Sequence, residues 1–441
     1  MMQRIFSCLK FRFFLYLLLG IGQACGPTFS TADEFSFDVE EFEKKSFEAG
    51  GYAEFKWEQI NLNEQGVLAL LNRYDDPVDQ VDRLSASLQL NGSYVKDIVS
   101  LNWLLSASGY YTEDEWDDYT DVFEAYASLK PTNHINGSFG KKSYKWGKGY
   151  AWNPVGFINR MKDPNNPDEA LEGYITAEGE IIRSYAGDLQ TLALTTVILP
   201  VSENVNEDFG QQDNLNLGAK LYLLYLDTDI DLLFYTGDSR STRFGIDFSR
   251  NITTNFEIHG EYAYFSDLEK VYLEEGRDSY KIQDAAHSVL LGFRYLNEFN
   301  LTSIIEYYHN GAGYSSEELD MFYSMVTMGE AQYSESGSDD ILRRAIKLGQ
   351  QGYTRPFLGT DYIYARFSLK EPGDILYFTP ALTMIYNLDD QSYSITPELL
   401  YTGITNWEIR LRFSILGGGE NSEYGEKMNQ NKIELRLRWF F

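Results

Sequence analysis

Cysteine and histidine are scarce in this sequence. It contains two cysteines and four histidines among 441 residues, and it lacks the HExxH, Gly-x-Ser-x-Gly and CxxC patterns of common hydrolases and redox proteins. Cys8 falls in a segment that is expected to be cleaved off, so the mature chain has no pair of cysteines for an intramolecular disulfide. These absences argue against an enzyme, against a cofactor and against a resident metal ion.

Long apolar runs are missing beyond the N-terminus, which excludes helical membrane spans. At the N-terminus, three basic residues precede an apolar run over 13–21, and small residues follow it. This is the pattern of a secretory signal peptide. We predict a signal peptide over residues 1–24 and an acidic periplasmic tail over 25–46. Cys25 at the cleavage point leaves a lipid-modified N-terminus as the alternative to ordinary cleavage.

Basic residues are outnumbered by acidic ones. The chain has 37 Lys and Arg against 66 Asp and Glu, which gives a formal net charge of -29. A nucleic-acid partner requires the opposite balance, so we expect none. Many of the acidic residues fall in the segments 33–43, 113–121 and 274–278, which are predicted to be a tail and loops. We interpret these segments as a solvated outer surface.

The C-terminal segment 431–441 alternates strictly between apolar and charged residues. Its apolar members would share one face of a β-strand: Ile433, Leu435, Leu437, Trp439 and Phe441. Lys, Glu and Arg residues occupy the other face. This pattern suits lipid on one side and water on the other, although the edge strand of a soluble sandwich gives the same alternation. Aromatic residues make up 15% of the chain, which fits the aromatic girdles of a membrane barrel.

Alternating segments recur from about residue 48 to the end, and about eighteen of them qualify as strands, with sixteen also compatible. Tight links alternate with long ones, which lie near 61–81, 112–118, 142–179, 200–213, 267–284, 311–359 and 416–430. Short turns on one side and long loops on the other are typical of outer-membrane barrels. We therefore predict an all-β fold over 47–441: a single transmembrane antiparallel up-and-down β-barrel in the cell outer membrane.

The predicted loop 142–179 is rich in aromatic and basic residues. The run Gly140–Gly147, followed by Asn153-Pro154, resembles the "WG…NP" stretch of alginate-export-type and related large bacterial porins. In that family this stretch leads from a strand into a loop that contacts the lumen, so the resemblance implies a porin. The candidate ligand contacts in the loop are Lys145, Trp146, Lys148, Trp152 and Arg160. The alternative is an aromatic girdle that merges into a loop.

The polar faces of the predicted strands carry charges of opposite sign on opposite sides of the barrel. The predicted basic wall comprises Lys56, Arg366, Arg410, Arg412, Arg436 and Arg438. The predicted acidic wall comprises Asp229, Asp231, Asp247, Glu257, Glu261 and Glu306. Walls that face each other across a water-filled bore would create a transverse field that orients charged solutes. Local pairing of each charge is the alternative.

The long segment 311–359 contains two predicted helices. The first begins with a capping box at Ser315, and the second is expected over 339–348, with Ser338 as N-cap and Gly349 as its stop. Such a segment either folds into the lumen and narrows it or lies over the rim as a cap.

We expect a channel for passive diffusion of small polar, anionic solutes, with the loops 142–179 and 311–359 gating entry. The alternatives are a barrel that exports polysaccharide or scaffolds an envelope complex and, more remotely, a barrel enzyme. The expected partners are outer-membrane lipid and lipopolysaccharide, a small-molecule solute, and the barrel-assembly machinery, through the strand that ends at Phe441. A homotrimer is compatible with the pattern.

Overall fold

The computed structural model describes residues 46–113, 115–273 and 279–441. The predicted signal peptide, residues 25–45 of the predicted tail with Cys25, and the acidic segment 274–278 lie outside the described residues. Within these ranges, no helix has both the length and the apolar character to cross a membrane.

Eighteen antiparallel strands form one closed barrel, as the alternating pattern predicted. Each strand pairs with its neighbours in the chain, and the first strand also pairs with the last, so no edge is left open. The strands are β1 Phe47–Leu62, β2 Gln80–Lys96, β3 Val99–Thr112, β4 Glu115–Thr132, β5 Ile135–Lys142, β6 Tyr174–Ser184, β7 Leu189–Val201, β8 Asn214–Tyr225, β9 Thr228–Thr236, β10 Arg243–Thr253, β11 Phe256–Leu273, β12 Ser279–Leu296, β13 Leu301–His309, β14 Asp361–Leu369, β15 Phe378–Asn387, β16 Tyr393–Tyr401, β17 Trp407–Gly417 and β18 Asn429–Phe440.

The outer surface of the barrel is apolar and the inner surface is polar. In β8, the outward Leu215 and Leu217 are 68% and 41% exposed, whereas the inward Asn216 is 1% exposed. Leu411 and Phe413 of β17 point outward in the same way, while Arg412 between them is buried. Closure of the barrel pairs the backbone hydrogen-bonding groups of neighbouring strands, and the outward apolar band matches the lipid. Both are required for strands that cross a bilayer.

The links differ in length between the two ends of the barrel. Those at the end where β1 begins have two to eight residues. The opposite end, which is extracellular in barrels of this type, carries the long links 63–79, 143–173, 202–213, 310–360 and 418–428. The predicted long loops at 112–118 and 267–284 were wrong. The strands continue there, because hydrogen bonding between strands tolerates acidic side chains that reach water, while Val271 and Leu273 of β11 enter a buried apolar cluster.

Among the described residues, three helices lie at the extracellular end: α1 Val67–Arg73, α2 Ser316–Ser336 and α3 Asp340–Leu348, the last followed by a π-helical turn at Gly349–Tyr353. A 3₁₀ turn at Pro372–Asp374 lies at the other end. Residues 310–360, hereafter the cap, pack against α1 and the top of β11 through a buried apolar cluster that includes Leu71, Leu273 and Phe322. The cap therefore lies over the rim, which decides between the two predicted placements.

The helix ends in the cap follow the sequence in part. Ser315 forms the predicted capping box, and α2 ends at Gly337 in the left-handed conformation, with φ of 71°. The N-cap of α3 is Asp339 and not Ser338. Gly349 does not stop that helix, because it keeps a right-handed conformation with φ of -52° and the chain runs on into the π-helical turn.

Replacing Ser315 by alanine is expected to destabilise α2 by about 1 kcal/mol, because the Glu318 backbone N–H loses its acceptor. Faster hydrogen exchange in the first turn of α2 would show this. Ser324→Ala is the matched control, since Ser324 is an exposed residue in the middle of the same helix. Equal exchange rates in the two variants would contradict the capping role.

Candidate functional site

The link between β5 and β6, residues 143–173, folds into the barrel. We call this segment the inner loop. It contacts the inward faces of β8 to β13 at one side of the lumen, and it reaches arginines of β17 at the other side. The inner loop, rather than the cap, therefore narrows the lumen.

A row of three carboxylates anchors the first part of the inner loop. Asp231, Asp247 and Glu261 lie directly opposite one another on β9, β10 and β11. Glu261 accepts hydrogen bonds from the backbone N–H groups of Lys148 at 2.6 Å, Gly149 at 2.7 Å and Val155 at 3.2 Å, and from the Asn153 amide at 2.8 Å. One buried carboxylate thus satisfies four donors of the loop.

Glu306 anchors the next residues of the inner loop. It accepts from the backbone N–H groups of Tyr150 at 2.5 Å and Ala151 at 2.9 Å. Its other contact is His259, whose Nε2 lies 2.9 Å from a Glu306 oxygen. The His259 ring crosses β12 at Gly292, where a Cβ atom would lie only 2.4 Å from Nε2. Glycine at 292 is therefore required for this contact.

Lys148 supplies the positive charge for the carboxylate row. Its Nζ lies 2.8 Å from Asp231 and 3.7 Å from Asp247. Burial opposes the charged form of Lys148, but the hydrogen bond and the charges of these carboxylates raise its pKa above the ordinary lysine value. The lysine therefore stays protonated and fixes the loop to the wall.

Apolar contacts complete the docking of the inner loop. The Trp146 indole packs against Gly218 of β8, and Val155 with Phe157 packs against Gly245 of β10. Side chains at either glycine would collide with the loop, at 3.0 Å from Trp146 and 2.8 Å from Val155. A glycine at an inward strand position indicates that another part of the chain approaches the strand closely. The sequence-based prediction of the strands did not use this signal.

The predicted acidic wall therefore does not face open water. Asp231, Asp247, Glu261 and Glu306 are at most 3% exposed, because the inner loop covers them. The other two members also make local contacts: Asp229 accepts from the Tyr222 hydroxyl, and Glu257 accepts from the Tyr150 hydroxyl at 2.9 Å. Buried carboxylates need donors, and the loop backbone provides them, so the expectation of an open bore between opposed walls was wrong.

The predicted basic wall is present on the inward faces of β14, β17, β18 and β1. Arg410, Arg436 and Lys56 lie directly opposite one another on β17, β18 and β1 and form a row of three cations, hereafter the basic row. On its extracellular side the neighbouring row is Arg412, Glu434 and Glu58, and on its periplasmic side it is Glu408, Arg438 and Glu54. The cations are thus embedded among carboxylates.

Most charges on this wall are paired locally, as the alternative interpretation expected. Arg438 lies 2.6 Å from Glu54, Arg436 lies 3.2 Å from Glu434, and Arg366 lies 3.1 Å from Glu398. Seven cations share five carboxylates, which leaves a formal charge of two positive units. The cations are Lys56, Arg366, Arg410, Arg412, Lys432, Arg436 and Arg438, and the carboxylates are Glu54, Glu58, Glu398, Glu408 and Glu434.

Open space remains between the inner loop and the basic wall. The Asn166 side-chain oxygen lies 3.4 Å from Arg410 and 3.3 Å from Arg412. Cavities of about 270 Å³ and about 310 Å³ adjoin this contact, and both are lined by Asp163, Asn166 and Glu169. The first cavity is lined by four cations, Lys56, Arg412, Lys432 and Arg436, and by four carboxylates, Glu58, Asp163, Glu169 and Glu434, so the space beside the loop runs along charges of both signs.

The predicted ligand contacts of the inner loop divide into two groups. Trp146 is 3% exposed, and it and Lys148 contact the wall, so the structure does not leave them free for a ligand. Trp152 and Arg160 line a cavity of about 560 Å³ above the loop, and Lys145 is exposed. No group of three His, Cys, Asp or Glu side chains suited to a metal ion occurs among residues 46–113, 115–273 and 279–441.

Replacing Lys148 by methionine is expected to loosen the inner loop, because two buried carboxylates lose their counter-charge. Breaking a buried pair in this way costs about 3–5 kcal/mol. Chymotryptic cleavage inside the loop of the folded barrel should therefore become much faster. Lys145→Met, a change of an exposed lysine in the same loop, should leave the cleavage rate unchanged. Adding Asp231→Asn to Lys148→Met should restore part of the resistance; no restoration would speak against the charge argument.

Comparisons with known proteins support the fold but do not show a family for this chain. No family profile matches the chain, and no curated protein resembles it in sequence. Pseudomonas aeruginosa OccK2 (OpdF), solved in complex with glucuronate, superposes with a TM-score of 0.54 at 11% identity, covering 90% of this chain and 98% of OccK2. P. aeruginosa OccK7 (OpdD) superposes with a TM-score of 0.51 at 10% identity, covering 90% of this chain and 99% of OccK7. The chain has the fold of an outer-membrane porin.

Proposed function

We propose that this protein is an outer-membrane channel for passive diffusion of small polar, anionic solutes. The carrying observation is the placement of the inner loop, which leaves space beside Lys56, Arg412 and Arg436 of the basic wall. The loop limits the size of the solute. The basic wall carries two excess positive units and faces Asp163 and Glu169 of the inner loop across the same cavity, so we expect a modest preference for anions.

The local pairing of the arginines suits rapid passage. A cation that already shares a carboxylate attracts an anion less strongly than a free one, so a solute can enter and also leave. The neighbouring carboxylates, such as Glu434 beside Arg436 at 3.2 Å, hold the guanidinium groups in place while solute passes. An anion preference with weak binding is therefore the behaviour we propose.

The similarity to OccK2 supports the anionic class of solute, because that protein was solved with glucuronate, which carries a carboxylate. The other proposals concern the partners that surround the barrel in the outer membrane. Outer-membrane lipid and lipopolysaccharide would contact the apolar band, and the assembly machinery would read the strand that ends at Phe441. A homotrimer, a signal peptide over 1–24 and an acidic tail over 25–46 stay predictions.

Swelling of proteoliposomes in isotonic solute tests this function against a non-conducting scaffold or a polysaccharide exporter. We expect faster swelling with a small organic anion than with a cation or a neutral sugar of the same size. Liposomes that carry heat-denatured protein are the control. No swelling with any small solute, from a barrel shown to be folded, would overturn the proposal and favour the scaffold or exporter.

A further inference from the structure

A second cavity with an unusual charge lies on the extracellular side of the inner loop. It has a volume of about 560 Å³, the inner loop forms its floor and the cap forms part of its roof. It shares Met161, Lys162 and Leu171 with the cavity beside β1 to β4, so it adjoins the space that leads past the basic wall. We call it the vestibule.

The vestibule is strongly cationic in a chain whose net charge is -29. Its only acidic lining residue among the described residues is Asp208, which pairs with Arg160. Four further cations line it: Lys162, Arg240, Arg243 and Arg355. In the part of the chain that the structure describes, no ion pair joins any of these four to a carboxylate.

Two buried donors beside the vestibule lack an acceptor. The Trp152 indole Nε1 and the Arg243 Nε are both shielded from solvent and neither makes a hydrogen bond. An occupant of the open cavity reaches neither atom unless these side chains shift. Among the described residues that line the vestibule, none presents a buried side-chain acceptor without a partner. The lining therefore offers cationic donors, which suit an anion because each of its oxygens accepts hydrogen bonds.

Aromatic rings form the rest of the vestibule wall. Trp152 stacks on Tyr308 with ring centroids 5.0 Å apart, and Phe357 packs edge-on against Trp152 at 5.5 Å. Tyr314 and Phe265 also line the cavity. Such rings contact the face of a sugar or a nucleobase, while arginine forks match the geometry of phosphate oxygens.

We propose that the vestibule binds a phosphomonoester attached to a ring, either a sugar phosphate or a nucleoside monophosphate. Lys162 donates to the Gly149 carbonyl and Arg240 to the Phe209 and Phe157 carbonyls. Among the described residues none of the four cations has a carboxylate partner, and together they match a doubly charged group better than the single charge of a carboxylate. The proposal rests on the proposed channel function and names its solute class: the vestibule captures the dianion at the extracellular end and delivers it to the basic row.

Isothermal titration calorimetry on the purified, folded barrel tests the site. Glucose 6-phosphate represents the sugar phosphates and adenosine monophosphate the nucleoside monophosphates, so the two titrations distinguish the two kinds of ligand. Glucuronate and glucose, with one charge and none, are the comparison solutes. We expect saturable binding of at least one phosphomonoester, about tenfold tighter than glucuronate, because the second negative charge adds a charge-assisted hydrogen bond. Failure of both phosphomonoesters to bind more tightly than glucuronate would overturn the proposal.

Two variants locate the site. Arg243→Gln/Arg355→Gln should weaken phosphomonoester binding by about tenfold or more, by loss of two charge-assisted contacts. Lys162→Met removes a third cation of the lining and should weaken binding several-fold. Arg83→Gln/Lys281→Gln removes the same charge at the rim, outside the vestibule lining, and should bind as wild type. Unchanged affinity in both site variants would place the ligand elsewhere and overturn the proposal.

Calorimetry does not depend on conduction, so the two proposals can fail separately. Swelling without saturable binding of a phosphomonoester would leave the channel and remove the vestibule site. Binding that the vestibule variants weaken, in a barrel that does not swell liposomes, would leave the site and remove the channel.

Discussion

Single-channel conductance is expected to increase when Glu261 is replaced by alanine. In the native barrel, Glu261 accepts hydrogen bonds from the N–H groups of Lys148, Gly149 and Val155. Alanine leaves these three buried donors without an acceptor, at roughly 1–3 kcal/mol each. This summed cost is larger than the stabilisation that any single remaining contact of this part of the loop provides. The inner loop should therefore detach from β11 and open the lumen.

Planar-bilayer recording measures this effect. We expect Glu261→Ala to give larger and noisier current steps than wild type, because the released loop moves within the lumen. Glu180→Ala is the matched control: Glu180 is a carboxylate on the inward face of β6 whose hydrogen bonds go to Asn136 and Thr195 of the neighbouring strands. Conductance equal to wild type in Glu261→Ala would mean that the inner loop does not constrict the path.

Ion selectivity is expected to reverse from anions to cations in the double variant Arg410→Glu/Arg436→Glu. Each substitution changes the formal charge by two units, so the basic wall would pass from two positive to two negative units. The basic row itself would retain only Lys56 as a cation. Selectivity in a narrow pore follows the sign of the charge lining it, and low salt maximises the effect because screening is weak.

The sign of the reversal potential under a salt gradient reports this change. Arg183→Glu/Arg250→Glu is the matched control, since it alters the net charge equally at exposed positions near the short-turn ends of β6 and β10. The control should keep the wild-type sign. If both double variants shifted the potential alike, the effect would come from overall charge and not from the basic row.

The barrel itself could be predicted from the sequence because its determinants are local. Alternation along segments such as 431–441 fixes which side chains face lipid, and the tight links mark where strands reverse. The loops predicted at 112–118 and 267–284 were wrong because the prediction used local acidic composition. The strands extend beyond the membrane there, with acidic side chains in water, and β11 also packs against the cap through Leu273.

The placement of the inner loop could not be predicted, because it depends on contacts between residues far apart in the chain. Glu261 lies more than a hundred residues from the Lys148 amide it accepts from. The inward glycines 218, 245 and 292 make room for the loop, and a strand pattern does not show what occupies that room. The predicted acidic wall is an anchoring surface for this reason.

The sign of the basic wall could be predicted, whereas its pairing could not. The period of two places Arg410, Arg412, Arg436 and Arg438 on one face, but the register between strands decides which charge is opposite which. That register brings Arg410, Arg436 and Lys56 into one row and places Glu434 beside Arg412. The vestibule arginines 240, 243 and 355 lie in or beside links, where no periodic signal marks them.

Reversal potential of single wild-type channels in a planar bilayer under a tenfold salt gradient tests the central claim most directly. The account predicts stepwise conductance with a potential whose sign shows anion preference, as expected for space beside a net positive wall. A potential of the cationic sign, or a folded barrel that inserts without any conductance, would contradict it.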